Sequence, residues 1–385
     1  MTKERLTHTC EYFLRLVRAG AGLSEEPLPD KPDDVEWKDL FLLSDKHSLA
    51  AVTCRALPLL PSAPDEETAA AWKKANDVCI HADMQQLWAW EEIRETLAAK
   101  GLRLLPLKGL HTKYLYPETY LRLMGDLDIL YEKSRFPELK KEMEGLGYTF
   151  QTNTLGSHHQ VFFRPPVTDV EMHADLLPSV SPFAGYYADP WAKAIPTEEE
   201  GVFRFSAEDE YIFMLLHAYK HFRGAGSGVR TILDFRLFRK KHPDIPDKNY
   251  VAEELQKLEK LGAAQGEAPD ALRAFAQSVS DMETRWFQGE ISLSDGDLPV
   301  FADGVYGKVE NIWTQGVRKK GKTRYLFSRL FPPFKVMQSG WPVLRKLPFL
   351  LPFCWIARLF RGMFRRRKQI AREYRFVRHS GEEKR

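Results

Sequence analysis

Five residues, Asp126-Leu127-Asp128-Ile129-Leu130, constrain this chain more than any other stretch. Carboxylates and apolar residues alternate there with period two, the pattern of a β-strand that buries one face. Asp126 and Asp128 therefore point together, while Leu127 and Ile129 point into the core. Two converging carboxylates repel each other unless a cation or a proton lies between them. Hard oxygen ligands suit Mg2+, which commonly takes one or two protein carboxylates and completes its shell with water and phosphate oxygens. The other reading is a strand edge carrying two solvated acids.

The flanking sequence builds a sheet around this strand. Leu102 to Leu107 is an apolar run too short for a helix, ended by Lys108-Gly109. A short helical pattern follows to about Tyr116 and closes at Pro117. Gly109, at the end of the preceding strand, lets a phosphate chain approach the backbone closely. Ser134 to Leu146 reads as a charged amphipathic helix ended by Gly145 and Gly147. Tyr148 to Thr152 and His159 to Arg164 read as a strand pair joined by residues 153–157. Thr168 to Leu177 alternates again, with Glu171, His173 and Asp175 opposing Val170, Met172 and Ala174. The expected core is α+β, a small mixed sheet with helices on one side, on which Glu171 can join the two aspartates. Three acids can hold two metals. His158 and His159 can face the same site from the hairpin. Arg122, just ahead of the acids, offers a bidentate contact to a triphosphate, or is an exposed loop arginine.

On Leu107-Lys108-Gly109 after a strand, Arg122 through Asp126-x-Asp128, and Glu171-x-His173, the chain resembles the nucleotidyltransferase superfamily, the fold family of DNA polymerase beta. Within it, the chain is similar to the uncharacterised nucleotidyltransferases, and the likeness extends weakly through His217 to Asp234 and into the carboxy-terminal segment. The resemblance implies an enzyme that transfers a nucleoside monophosphate from an NTP such as ATP to an acceptor that the sequence does not name. It implies Asp126, Asp128 and Glu171 as catalytic and metal-binding residues for two Mg2+ ions. Lys108, Gly109, Arg122, His173 and His217 are expected at the nucleotide. The chain departs from the superfamily at the glycine turn, where Lys108 precedes Gly109 and Leu110 follows it. Lys108 is expected to supply positive charge in place of a serine hydroxyl. The alternative is a non-catalytic nucleotide-binding or scaffold protein on the same fold, acting at the membrane surface in cell-surface polymer assembly.

With 385 residues, 44% of them hydrophobic, the chain is long enough for more than one domain. Residues 1–100 read as a helical region, 101–180 as the transferase core, 181–300 as a helical domain completing the cleft, and 301–385 as a basic tail. Helices are expected over Glu4 to Arg18, Val35 to Leu57 and Ser62 to Lys100, the last long enough to kink or split. His47 and His81 in these helices have no partner at ligand spacing and read as structural or solvated. The segment from Pro178 to Pro196 is a candidate connection between domains or a lid. Ser206 to Arg223 reads as a helix with capping-box spacing to Asp209. It carries His217, Lys220 and His221 toward the cleft, and Arg230 and Asp234 on the next helix are spaced to pair.

No apolar run reaches the roughly 18 residues of a membrane-spanning helix, and MTKERLTHTC carries charges where a signal peptide is apolar. A cytoplasmic protein is expected, with possible placement at the inner face of the membrane. The four cysteines are scattered and read as small apolar residues. From Asn311 to Arg372 there are 16 Lys plus Arg and no Asp or Glu; with a total of +3, the remainder carries 3 minus 16, or −13. Within that segment, residues 345–372 mix aromatic and apolar residues with cations, a pattern suited to an anionic membrane surface. The competing reading is a helix packed on the acidic body. No nucleic-acid reading module accompanies the charge, so nucleic acid is not an expected partner.

Overall fold

The computed structural model describes residues 2–151, 158–166, 169–224, 228–244, 248–303, 317, 321–334, 337, 341 and 343–365. The first helix, α1 (Lys3–Gly20), starts where the Thr2 hydroxyl accepts the Arg5 N–H, and it buries Phe13, Leu14, Leu16 and Val17 completely. It ends on a glycine of necessity: a Cβ on Gly20 would lie 1.8 Å from the Val52 carbonyl oxygen. The segment expected as one helix from Val35 to Leu57 forms two, α2 (Trp37–Lys46) and α3 (Ala50–Ala56). The break falls at Ser48, whose φ of +54° is incompatible with a continuing helix. Beside it, buried His47 accepts the Val229 N–H at Nδ1, 3.2 Å away, and its Nε2 lies 3.2 Å from the Phe301 carbonyl oxygen. The break thus turns a histidine into a fastener between the amino-terminal helices and segments far along the chain.

The long helix α4 (Glu66–Ala98) runs unsplit over its 33 residues. Asp65 caps it by accepting the Thr68 N–H. Propensity alone would not hold so long a helix; burial on two sides does. Trp72 packs among α1 to α3, whereas Trp90, Ile93 and Leu97 pack beneath the sheet. Gly101, with φ +65°, ends α4 and turns the chain into the first strand.

Five strands, β1 (Leu104–Pro106), β2 (Asp126–Tyr131), β3 (Thr149–Gln151), β4 (His159–Phe163) and β5 (Asp169–His173), pair in the order β1-β2-β5-β4-β3. β2 and β5 run parallel and the other pairs antiparallel, so the sheet is mixed as expected. Helix α5 (Gly109–Thr112) lies between β1 and β2, and α6 (Phe136–Gly145) follows β2. α4 and α6 cover one face through Leu127, Ile129, Val170, Met172, Leu139 and Met143. The strand that was expected to reach Leu177 stops at His173, and Asp175 leaves the site face to pair with Lys133 at 2.8 Å. The expected joint at residues 153–157 lies outside the described residues.

The segment from Pro178 to Pro196 is tied down rather than poised as a lid. Tyr187 is buried, and Lys193 Nζ donates to Asp209 Oδ1 at 2.6 Å and to the Tyr250 hydroxyl at 3.0 Å. After the small ribbon of β6 (Ala194–Pro196) and β7 (Phe203–Phe205) come α7 (Ala207–Gly224), α8 (Val229–Lys241), α9 (Lys248–Ala264), α10 (Ala271–Phe287) and α11 (Leu298–Asp303). The predicted cap is present, the Asp209 N–H donating to Ser206 Oγ at 3.1 Å. Part of the turn expected over Gly224 to Gly228, residues 225–227, lies outside the described residues. One apolar core joins α1 to α3 with α7, α8 and α10. The tail adds α12 (Lys322–Leu330), α13 (Val343–Lys346) and α14 (Leu351–Arg365). Among the described residues, no helix is long and apolar enough to cross a membrane.

Candidate active site

Register explains how the acids meet. In the parallel β2–β5 pair Asp128 lies opposite Glu171 and Leu130 opposite His173, while β4 sets His159 opposite His173. Period-two alternation turns these side chains away from α4 and α6 and into a cavity of about 350 Å3. That volume falls in the usual range for small-molecule sites, roughly 300–1000 Å3. Across the cavity stand His217, Lys220 and His221 of α7, with Arg230 and Asp234 of α8. The helices expected on one side of the sheet are therefore only half the arrangement: α7 and α8 face its charged side.

The expected acids are brought together. Asp128, Glu171 and His173 place ligand atoms within 4.8 Å of one another. Asp128 is almost fully buried, and its Oδ1 accepts from Lys108 Nζ at 3.0 Å and from His173 Nε2 at 2.6 Å. Burial opposes its charge, but Lys108 and His173 outweigh it and hold the Asp128 carboxyl well below the usual range. Among the described residues, Asp126 receives no such bonds. Burial and the neighbouring Asp128 charge push its carboxyl up to about 7. Glu171 is held below its ordinary value: burial works against it, and the His173 hydrogen bond prevails. Two adjacent carboxylates are thus driven apart in proton affinity, as happens where one ion or proton is shared between them.

Lys108 occupies the point where the acids converge. Its backbone is strained, with φ +43° and ψ −115° at the start of α5, a conformation costing on the order of 1–3 kcal/mol for a non-glycine residue. Burial opposes its ammonium charge, but Asp128 and Asp126 more than compensate and raise its pKa. The next residue is glycine for a packing reason that sequence reading missed. A Cβ on Gly109 would stand 2.6 Å from Met124 Sδ and 2.7 Å from Arg122 Nη1.

Arg122 is neither an exposed loop arginine nor a free fork. Its Nε and Nη2 donate to the two carboxylate oxygens of Asp234 at 3.0 and 2.9 Å, and Tyr116 donates to the same carboxylate at 2.7 Å. Asp234 is therefore not spent on Arg230, as its spacing suggested; Arg230 Nη1 donates to the Leu123 carbonyl at 2.6 Å. This bracket ties α8 to the segment that delivers β2. Its partners are 112 residues apart, too far for any local sequence signal. Asp83 was missed likewise: it pairs with fully buried Lys113 and accepts from the Thr119 hydroxyl at 2.7 Å, pinning the same segment to α4.

The histidines fall into two groups. His217 and His221, four apart on α7, lie with their Nε2 atoms 2.8 Å apart, so one ring donates to the other. Burial pushes His217 well below its ordinary value and His221 down to about 3. Burial and the Lys108 charge lower Lys220 to about 8. On the sheet side, His158, His159 and His173 form a triangle with ring centroids 4.9, 5.3 and 5.2 Å apart. Burial keeps His158 neutral, its pKa pushed down to about 2.

The family described as uncharacterised nucleotidyltransferase matches residues 33–265. No curated protein matches the chain. Among solved structures, the chain is similar to the antibiotic-resistance factor ANT(2'')-Ia, known from a solution structure, at 16% identity and a TM-score of 0.33. That match covers 52% of this chain and 97% of the other.

Proposed function

Since the chain belongs to the family of uncharacterised nucleotidyltransferases, we propose that it transfers a nucleoside monophosphate from an NTP to an acceptor hydroxyl, releasing pyrophosphate, in a Mg2+-dependent reaction. The observation that supports this most is the in-register placement of Asp128 beside Glu171, with Asp126 on the same face, at the wall of a cavity lined by Lys108, Lys220 and Arg230. The donor set fits the ion: all-oxygen acids of unequal proton affinity, next to cations suited to phosphate oxygens. Asp126, Asp128 and Glu171 would hold Mg2+, which when bound offsets charge on the attacking and leaving oxygens. Lys108 and Lys220 offset phosphate charge from opposite walls. His173 holds Asp128 in place by its 2.6 Å hydrogen bond. The Arg122–Asp234 bracket keeps Met124 and Gly125 set at the entrance to β2.

Isothermal titration with each NTP, with and without Mg2+, tests the reading in the wild type and in Asp126→Asn combined with Asp128→Asn. Mg2+-dependent binding of one triphosphate, lost in the double variant, is the expected result. If no NTP binds the wild type, the non-catalytic scaffold reading takes its place.

A second reading, compatible with the first, concerns the tail. Phe349, Phe353 and Ile356 are 69, 67 and 53% exposed, in a segment whose charged residues are all cations. We propose that this face rests on an anionic membrane surface, apolar groups inserting shallowly beside basic ones. Residues 366–372 of the expected patch lie outside the described residues. Sedimentation with phosphatidylserine vesicles, but not with phosphatidylcholine vesicles, is the expected behaviour; equal pelleting with both, or with neither, refutes it.

A further inference from the structure

The imidazole triangle has properties that the transferase reading does not use. His158, His159 and His173 each offer a ring nitrogen within 4.8 Å of the other two, and all three line the cavity. His173 is 1% exposed. Its Nε2 donates to Asp128, and its Nδ1 is buried with no hydrogen-bond partner among the described residues. Leaving a buried nitrogen without a partner is costly, so such groups normally have something to bind. The pairing is also the one that metal-binding histidines show, in which the second ring nitrogen is fixed by a carboxylate.

We infer that His158, His159 and His173 form a site for a divalent transition ion such as Zn2+ or Co2+, distinct from the all-carboxylate Mg2+ site. Imidazole nitrogens select such ions, while carboxylate and water oxygens suit Mg2+. Donors at 2.0–2.1 Å around a tetrahedral ion stand about 3.4 Å apart, so the three rings close on it by about an ångström of side-chain rotation. Asp128 then has two parts to play, steadying His173 on one side and meeting Mg2+ on the other. The inference does not depend on nucleotide transfer.

Titration of the full chain with Co2+, followed by visible absorption, tests it. A single site with the bands of nitrogen ligation is expected, with affinity at least tenfold weaker in His158→Ala combined with His159→Ala. His158→Gln with His159→Gln, which keeps bulk and polarity, should show the same loss, and thermal melts of both variants report that they fold. Asp126→Asn should bind Co2+ as the wild type does. Excess Mg2+ should leave the spectrum in place. Unchanged affinity in both folded histidine variants, or displacement of Co2+ by Mg2+, would overturn the site. Mg2+–NTP binding is measured separately, so failure of one reading leaves the other standing.

Discussion

On one face of the sheet Leu127, Ile129, Val170 and Met172 are closed off by α4 and α6. On the other, one residue along each strand, Asp126, Asp128, Glu171 and His173 look into a cavity. The same five strands therefore do two jobs that differ in what a substitution should cost. The apolar face is a packing surface, where removed methylenes leave voids. The charged face stores unfavourable interactions, carboxylates beside carboxylates and a lysine in a strained backbone, held in place by the packing behind it.

The sharpest contrast comes from neighbouring residues on β2. Ile129→Ala should lower unfolding free energy by about 2–5 kcal/mol in denaturant titration, the usual cost of such a cavity. Nucleotide binding per folded molecule should stay the same. Asp126→Asn should abolish Mg2+–NTP binding and yet raise the melting temperature by a few degrees at pH 8 in chelator. The sign follows from its raised pKa. Unfolded, the carboxyl ionises near 3.8; folded, near 7, so the folded state holds the extra proton between those values. Wild-type stability should then fall relative to the asparagine variant as pH rises from about 4 to 7, and level off above. An Asp126→Asn protein as destabilised as Ile129→Ala would erase the distinction between the faces. The smallest effect should come from α7. Lys220 loses its charge as pH rises through about 8, so NTP affinity should weaken several-fold between pH 7 and 9. Lys220→Arg should flatten that slope, and an identical slope in both proteins would remove Lys220 from the nucleotide.

What the sequence made legible follows the same division. Strand alternation exposed Asp126, Asp128, Glu171 and His173 as a set, because period two is a local property and both faces obey it. His158 and His159, at the start of β4, line the same cavity, and the hairpin that brings them there is a local feature. Asp234 was assigned to Arg230 by helical spacing, but tertiary packing gave it to Arg122 and Tyr116. Such long-range pairings leave no trace in spacing. The break at Ser48 leaves no local signal, and the contacts beside it, His47 to Val229 and to Phe301, span 182 and 254 residues. The unbroken length of α4 depends on two separate cores that only the folded chain brings to it.

Lys108 carries a further consequence. An ammonium tethered to the chain 3.0 Å from Asp128 is a counter-ion at fixed local concentration, independent of the surrounding ion pool. The resting site carries a counter-charge within its own covalent structure, and folding has already removed much of the water from its lysine, whose side chain is 20% exposed. A phosphate arriving there meets a cation whose dehydration was largely accomplished with the fold, so recognition becomes more an exchange of one anion for another than the emptying of a hydration shell.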